Sequence, residues 1–186
     1  MDAARKWVGK DRGTTALHLA AERSGGGPFV TALLAGGADP TWKQRESGAT
    51  AIYLAARSAT DIDTLAALMA FGGGQGEINM AQVEGRTPLM VAVAQDRPMP
   101  VIRFLLDRGA AIDAETEAGN TALHFAAMYA SDSQVVGTLM ALTEAPCATD
   151  ETGRSARDYL ALSTSPLHGD RDLTRRFHEA CVEKAE

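Results

Sequence analysis

The chain is poor in the residues that mark most chemistries. Only two cysteines, Cys147 and Cys181, occur in 186 residues. They do not form a close pair, so neither a Cys-x-x-Cys redox motif nor a zinc-ligand spacing is present. Two separate thiols are expected in preference to a single disulfide between them. Aromatic residues make up 5% of the chain, so the core must rest on Ala, Leu, Val, Ile and Met. No stretch approaches the ~18 consecutive apolar residues of a membrane span. The opening residues, Met-Asp-Ala-Ala-Arg-Lys-Trp-Val-Gly-Lys, hold no apolar run of the secretory kind. A reducing, cytoplasmic setting is therefore the default. Positive charge is also in deficit: 18 Lys and Arg stand against 24 Asp and Glu, a net charge of -6. Binding to a nucleic-acid duplex needs a cationic surplus, so nucleic acid and anionic membrane are not expected partners.

Catalytic signatures are missing too. The glycine-rich run 72–76 is not followed by Lys-Ser or Lys-Thr, so it is no phosphate loop. No Gly-x-Ser-x-Gly elbow occurs. His168 and His178 stand ten apart, outside helical metal-ligand spacing. Asp61 and Asp63 are expected to start a helix. No catalytic residue, metal or cofactor is assigned.

What the chain does have is a repeated phrase. Gly-Thr-Thr-Ala-Leu-His-Leu-Ala-Ala stands at 13–21 and Gly-Asn-Thr-Ala-Leu-His-Phe-Ala-Ala at 119–127. Weaker copies begin at Gly48, Gly85 and Gly153, so the five glycines are spaced by 35, 37, 34 and 34 residues. A hydroxyl follows two places on in every copy: Thr15, Thr50, Thr87, Thr121 and Ser155. Ala or Pro comes next each time. The glycine suits a turn of positive φ, the hydroxyl an N-cap, and Pro88 a first helical turn. An Ala-rich helix follows, as over 16–23 or 122–129. After loop breakers comes a second helix with apolar residues three and four apart, for example Val101, Phe104 and Leu105. Glycines near 36–37 and 109 close it.

Motif and period together resemble the ankyrin-repeat family. The matching residues are Thr15 through Ala21, Thr87-Pro88-Leu89, Thr121 through Ala127, and the Leu-Leu-x-x-Gly-Ala endings over 33–38 and 105–110. The likeness covers residues 10–161. It implies an all-α solenoid of stacked helix-turn-helix units with β-hairpin-like turns. Four full repeats are expected at 10–44, 45–81, 82–115 and 116–149, after a short segment 1–9 in which Trp7 and Val8 cover the first repeat. A capping repeat at 150–186 completes a single domain. In the family, histidines placed like His18 and His124 bond to neighbouring turn backbone. Departures from the pattern are a longer loop between the helices of each unit, the insert 72–76, and Thr143-Glu144-Ala145-Pro146 in place of a helix-ending glycine. Arg157 replaces a core leucine, as a capping unit requires. Leu173, Phe177, Ala180 and Cys181 lie on one helical face suited to closing the stack, with Asp170 or Asp172 as cap.

Such a stack offers an extended concave face. Core positions agree from copy to copy, whereas turn-tip and first-helix positions vary, which leaves that face free to specify a partner. By position it takes in Arg12, Thr14 and Arg23 from the first copy, and Ser47 and Arg57 from the second. Glu84, Arg86 and Gln95 come from the third, and Asn120, Met128 and Tyr129 from the fourth. Trp42 joins them. Because interfaces favour aromatic, Met and Arg anchors, Trp42, Arg57, Arg86, Met128 and Tyr129 rank highest. The expected function is non-catalytic binding of a protein partner, as adaptor, inhibitor or effector, by a chain that is monomeric alone. The alternatives are self-association through the N-terminal end or a regulatory subunit of an enzyme.

Overall fold

The computed structural model describes residues 13–71, 77–162 and 164–183, and these form ten α-helices and one 3-10 turn, Glu77–Asn79, without a strand. Trp7, Val8 and the insert 72–76 lie outside the described residues. The helices fall into five hairpins: α1 (Ala16–Ala21) with α2 (Gly27–Ala35), α3 (Ala51–Ser58) with α4 (Asp63–Phe71), α5 (Pro88–Ala94) with α6 (Met99–Asp107), α7 (Ala122–Tyr129) with α8 (Ser133–Leu142), and α9 (Ala156–Leu160) with α10 (Arg171–Glu183). First helices pack in a row from α1 through α3, α5 and α7 to α9. Second helices form the other layer, α2 on α4, α6 on α8, and α8 on α10. No described helix is long and apolar enough to cross a membrane.

Leu17, Leu89 and Leu123, equivalent in three copies, are all buried, and so are Ala20, Ala56, Ala92 and Ala126. The short alanine side chains set how closely neighbouring first helices approach. First helices of five to eight residues are unstable alone, so each is held by the neighbouring hairpins.

The capping hydroxyls sit where the repeat places them. Thr15, Thr50, Thr87, Thr121 and Ser155 are the extended N-cap residues of the five first helices. In the first and fourth copies a histidine completes the cap. His18 Nδ1 accepts from the Thr15 N–H at 3.1 Å, and His124 Nδ1 from the Thr121 N–H at 3.1 Å. An accepting Nδ1 puts the ring proton on Nε2, which donates to the next turn: to the Ala49 carbonyl at 3.2 Å and the Arg154 carbonyl at 3.3 Å. Each histidine thus fastens one hairpin to the next.

The turns lean on one another. The N–H groups of Val83, Glu117 and Glu151 donate to the carbonyls of Ser47, Glu84 and Ala118 in the preceding turn. Glycine is needed here on two counts. Gly119 has φ +74, and a Cβ on it would lie 3.1 Å from Asp150 Cα in the next turn. The expected hairpin-like turns are closed by backbone bonds of their own, from the N–H groups of Gln44, Gln82, Thr116 and Asp150 to the carbonyls of Ala49, Arg86, Asn120 and Arg154, and among the described residues one isolated bridge forms, Thr149 with Ser155. Asp96, at φ 50, holds a left-handed conformation unusual for a residue with a Cβ. Its carboxylate accepts from the Ser131 N–H and hydroxyl at 2.9 and 2.6 Å, tying adjacent inter-helix loops.

Where the fourth copy lacks a closing glycine, Thr143 ends α8, its N–H donating to the Leu139 carbonyl, and Asp113 ties the segment that follows to the preceding unit. Its carboxylate accepts from the Thr143 hydroxyl and from the Glu144 N–H just past α8. The C-terminal hairpin closes the stack through Leu173 and Phe177, both fully buried. Asp170 caps α10 by accepting from the Leu173 N–H at 3.0 Å, and Arg157 is exposed. The cysteines do not remain separate thiols as expected. Cys147 and Cys181 form a disulfide with Cα atoms 5.7 Å apart. The pairing is invisible in their spacing of 34 residues, because only docking of α10 beside the end of α8 brings them together.

Candidate functional site

A strip of charged and aromatic side chains runs along the first helices in two contacting groups, with Tyr53 in the field of both. Glu22, just past α1, forms an ion pair with Arg57 on α3. Tyr53, on the same helix, lies near the charged groups of two copies. Burial raises the pKa of its phenol, Arg86 and Arg57 pull it partly back, and Glu84 adds to the rise. Arg86 pairs with Glu84 at 3.6 Å and places its guanidinium 5.3 Å from the centre of the Phe125 ring. Phe125 in turn stacks on Tyr129 four residues along α7, with centroids 6.4 Å apart.

These ion pairs are 40–65% exposed, and pairs of that kind contribute ~0–1 kcal/mol. An exposed cation over a ring adds ~0.5–1 kcal/mol. The fold therefore gains little from the strip, and its charges can be exchanged for contacts with another molecule at small cost.

The strip ends at an apolar pocket of about 260 Å³ lined by Met128, Tyr129, Tyr159, Leu162, Thr164 and Pro166. Tyr129 is 48% and Leu162 41% exposed, so neither is consumed by the core. Tyr159 is held rigidly. Its hydroxyl donates to Asp150 Oδ2 at 2.5 Å, and its ring meets His124 edge to face with centroids 6.1 Å apart. Asp150 is buried. Burial alone pushes its carboxyl pKa up. The hydroxyls of Tyr159 and Thr152 and the N–H groups of Arg154 and Thr152 outweigh that and hold it well below the usual carboxylate range. The same bond to Asp150, with burial, raises the Tyr159 phenol. A carboxylate so saturated with donors is a clamp that fixes the pocket wall.

Of the positions singled out from the sequence, Arg57, Glu84, Arg86, Met128 and Tyr129 fall on this strip and pocket. The others stand apart from it. Arg23 lies over Phe29 at 5.5 Å, against α2. Trp42, 44% exposed, donates from Nε1 to the Gly13 carbonyl at 3.2 Å. Gln95 ends α5, and its carbonyl accepts from Arg97 Nε and Nη2 at 2.9 and 2.7 Å. Asn120 sits in the fourth turn, its Oδ1 buried and without a hydrogen-bond partner among the described residues. Arg12 lies outside the described residues. Two face positions are corrected. Thr14 is buried and accepts from Gln44 Nε2 at 3.0 Å, and Ser47, half-buried, donates to Gln44 Oε1 at 2.8 Å. Both are absorbed into the turn scaffold.

Phe125, Tyr159, Leu162 and Pro166 were missed as site residues. A signal for two of them was available. Four places after the capping hydroxyl the copies read Leu19, Leu54, Val91, Phe125 and Tyr159, so this position turns aromatic in the last two hairpins. Leu162 and Pro166 lie in the connection between α9 and α10, where no repeat pattern reaches.

Comparison with known families agrees with this architecture. A family model for ankyrin repeats in three copies matches residues 60–150, and one for a single ankyrin repeat matches residues 12–44. The chain belongs to the ankyrin-repeat family. Proteins of this family are typically non-catalytic modules for protein–protein interaction.

Proposed function

We propose that the chain recognises a partner protein on the strip running from Arg57 to Tyr129, and that a bulky apolar side chain of the partner seats in the pocket beside Met128. The observation that carries this reading is the continuity of that pocket with the Arg86–Phe125–Tyr129 stack. An aromatic wall flanked by a guanidinium is the composition of an interface anchor. Hairpins clamped by His18, His124 and Asp150 limit the ordering cost of binding. Arg23, Trp42, Gln95 and Asn120 stand apart from this strip, and their contributions are small. The acidic balance of the whole chain favours a basic partner or a role as an inhibitor that mimics an anionic ligand.

Methionine methyl NMR tests the reading. A partner captured by the chain and identified by mass spectrometry is titrated into protein labelled at its methionine methyls. Met128 is expected to shift, while Met140, buried on α8, stays still. A titration that moves other methyls and leaves Met128 unchanged refutes this choice of face. The Cys147–Cys181 bond favours an oxidising compartment over the reducing cytoplasm expected from the sequence, since such bonds persist where thiols are not kept reduced. Thiol trapping on the protein as it is recovered from cells decides between them.

A further inference from the structure

On the other layer an open groove of about 640 Å³ runs between α6 and α8, with α10 along its side. Its apolar lining includes Leu106 and Leu142, the latter 55% exposed. Two guanidiniums line it, Arg103 from α6 and Arg176 from α10, and neither makes an ion pair or hydrogen bond with a described residue. Asp107, the one carboxylate on the lining, pairs with neither of them. Gly137 lies buried in the middle of α8, where alanine would make a better helix. A Cβ there would stand 2.8 Å from Arg176 Nη1, so the missing side chain is what lets that guanidinium lie down over the helix. In a chain of net charge -6, two arginines unpaired among the described residues, beside a groove of mixed polar and apolar lining, are a local reversal of sign.

We infer that this groove is a second binding surface, separate from the strip on the first helices, and that it takes an acidic, amphipathic segment of a partner protein. The partner's carboxylates would meet Arg103 and Arg176 in charge-assisted hydrogen bonds, and its apolar side chains would cover Leu106 and Leu142. A basic segment is disfavoured by the same two charges.

The test uses two fluorescein-labelled peptides of helical periodicity, one of Leu and Glu, the other of Leu and Lys, followed by fluorescence anisotropy on the full chain. The Leu/Glu peptide is expected to bind saturably and to weaken with added salt. Arg103→Gln and Arg176→Gln should each lower its affinity about tenfold, the loss of one charge-assisted contact. Gly137→Ala should weaken it as well, by displacing Arg176, without lowering Tm. The Met99 methyl, which lines the groove, should shift, and the Met128 methyl should not. No saturable binding of the Leu/Glu peptide, equal binding of the Leu/Lys peptide, or affinity untouched by both Arg→Gln changes overturns the inference. Loss of binding on Arg86→Glu with none on Arg176→Gln places the acidic peptide on the strip, which defeats the groove and leaves the first reading standing.

Discussion

Replacing His124 by Leu isolates the bond that carries the stack from one hairpin to the next. Leucine keeps most of the volume, so the cavity term is small, and the loss is polar. The Thr121 N–H gives up its acceptor, and Thr121 is only 5% exposed; a buried donor without a partner costs ~1–3 kcal/mol. The Arg154 carbonyl loses one of its two donors and keeps the Asp150 N–H at 2.9 Å, so this loss adds about 1 kcal/mol at most. The sum, about 1–4 kcal/mol, corresponds to a fall in Tm of roughly 2–15 °C for a chain of this size. A pH signature goes with it. Burial lowers the pKa of both His18 and His124, and the carbonyls they donate to offset this only in part. Below the ordinary histidine value of 6.5, the unfolded chain therefore binds protons that the folded chain refuses. Stability is complete above about pH 6.5 and is lost as pH falls beneath it, by up to ~1.4 kcal/mol per pH unit for each histidine. Urea unfolding of wild type and His124→Leu at pH 7, 6 and 5 measures both effects. The variant should start lower and lose less on acidification. Equal stability at pH 7, or an identical pH slope in both proteins, would falsify the assignment of His124 as an inter-hairpin clamp.

Three further outcomes are expected. Gly119→Ala should cost about 2–3 kcal/mol in urea unfolding, combining a left-handed residue with the close approach of Asp150, whereas Gly153→Ala, at φ +77 with nothing within 4 Å, should cost about 1–2 kcal/mol. Leu105→Ala empties a fully buried site and should remove about 2–5 kcal/mol, while Leu19→Ala, at 54% exposure, should stay within about 0.5 kcal/mol of wild type by the same measurement. Cys181→Ser opens a 34-residue loop and should cost about 3–4 kcal/mol; dithiothreitol should lower the Tm of the wild type and leave that of the variant unchanged.

The repeat made the scaffold legible. One phrase written five times fixes glycine, capping hydroxyl and core leucine together, because each hairpin must present the same surfaces to its neighbours. That is why Leu17, Leu89 and Leu123 could be placed in the core and α7 delimited at Ala122–Tyr129. What the repeat does not encode was harder to see. Thr14 and Ser47 vary like surface residues but are drawn into the turns by Gln44. The Cys147–Cys181 bond and the bonds of Asp113 to Thr143 and Glu144 depend on docking between units rather than on any local pattern. The pocket beside Met128 needs Leu162 and Pro166 from an irregular connection. The strip was half legible: Arg86 and Tyr129 were chosen by residue type, but Phe125, which joins them, reads as ordinary core until Arg86 is seen over its ring.

The most direct measurement is the affinity of the captured partner for the double variant Arg86→Glu, Tyr129→Ala, beside wild type, by isothermal titration calorimetry with Tm recorded in parallel. The strip predicts a loss of at least a hundredfold in affinity, the sum of two interface anchors, with Tm shifted by no more than a few degrees because both side chains are partly exposed. Undiminished affinity in a folded double variant would contradict it.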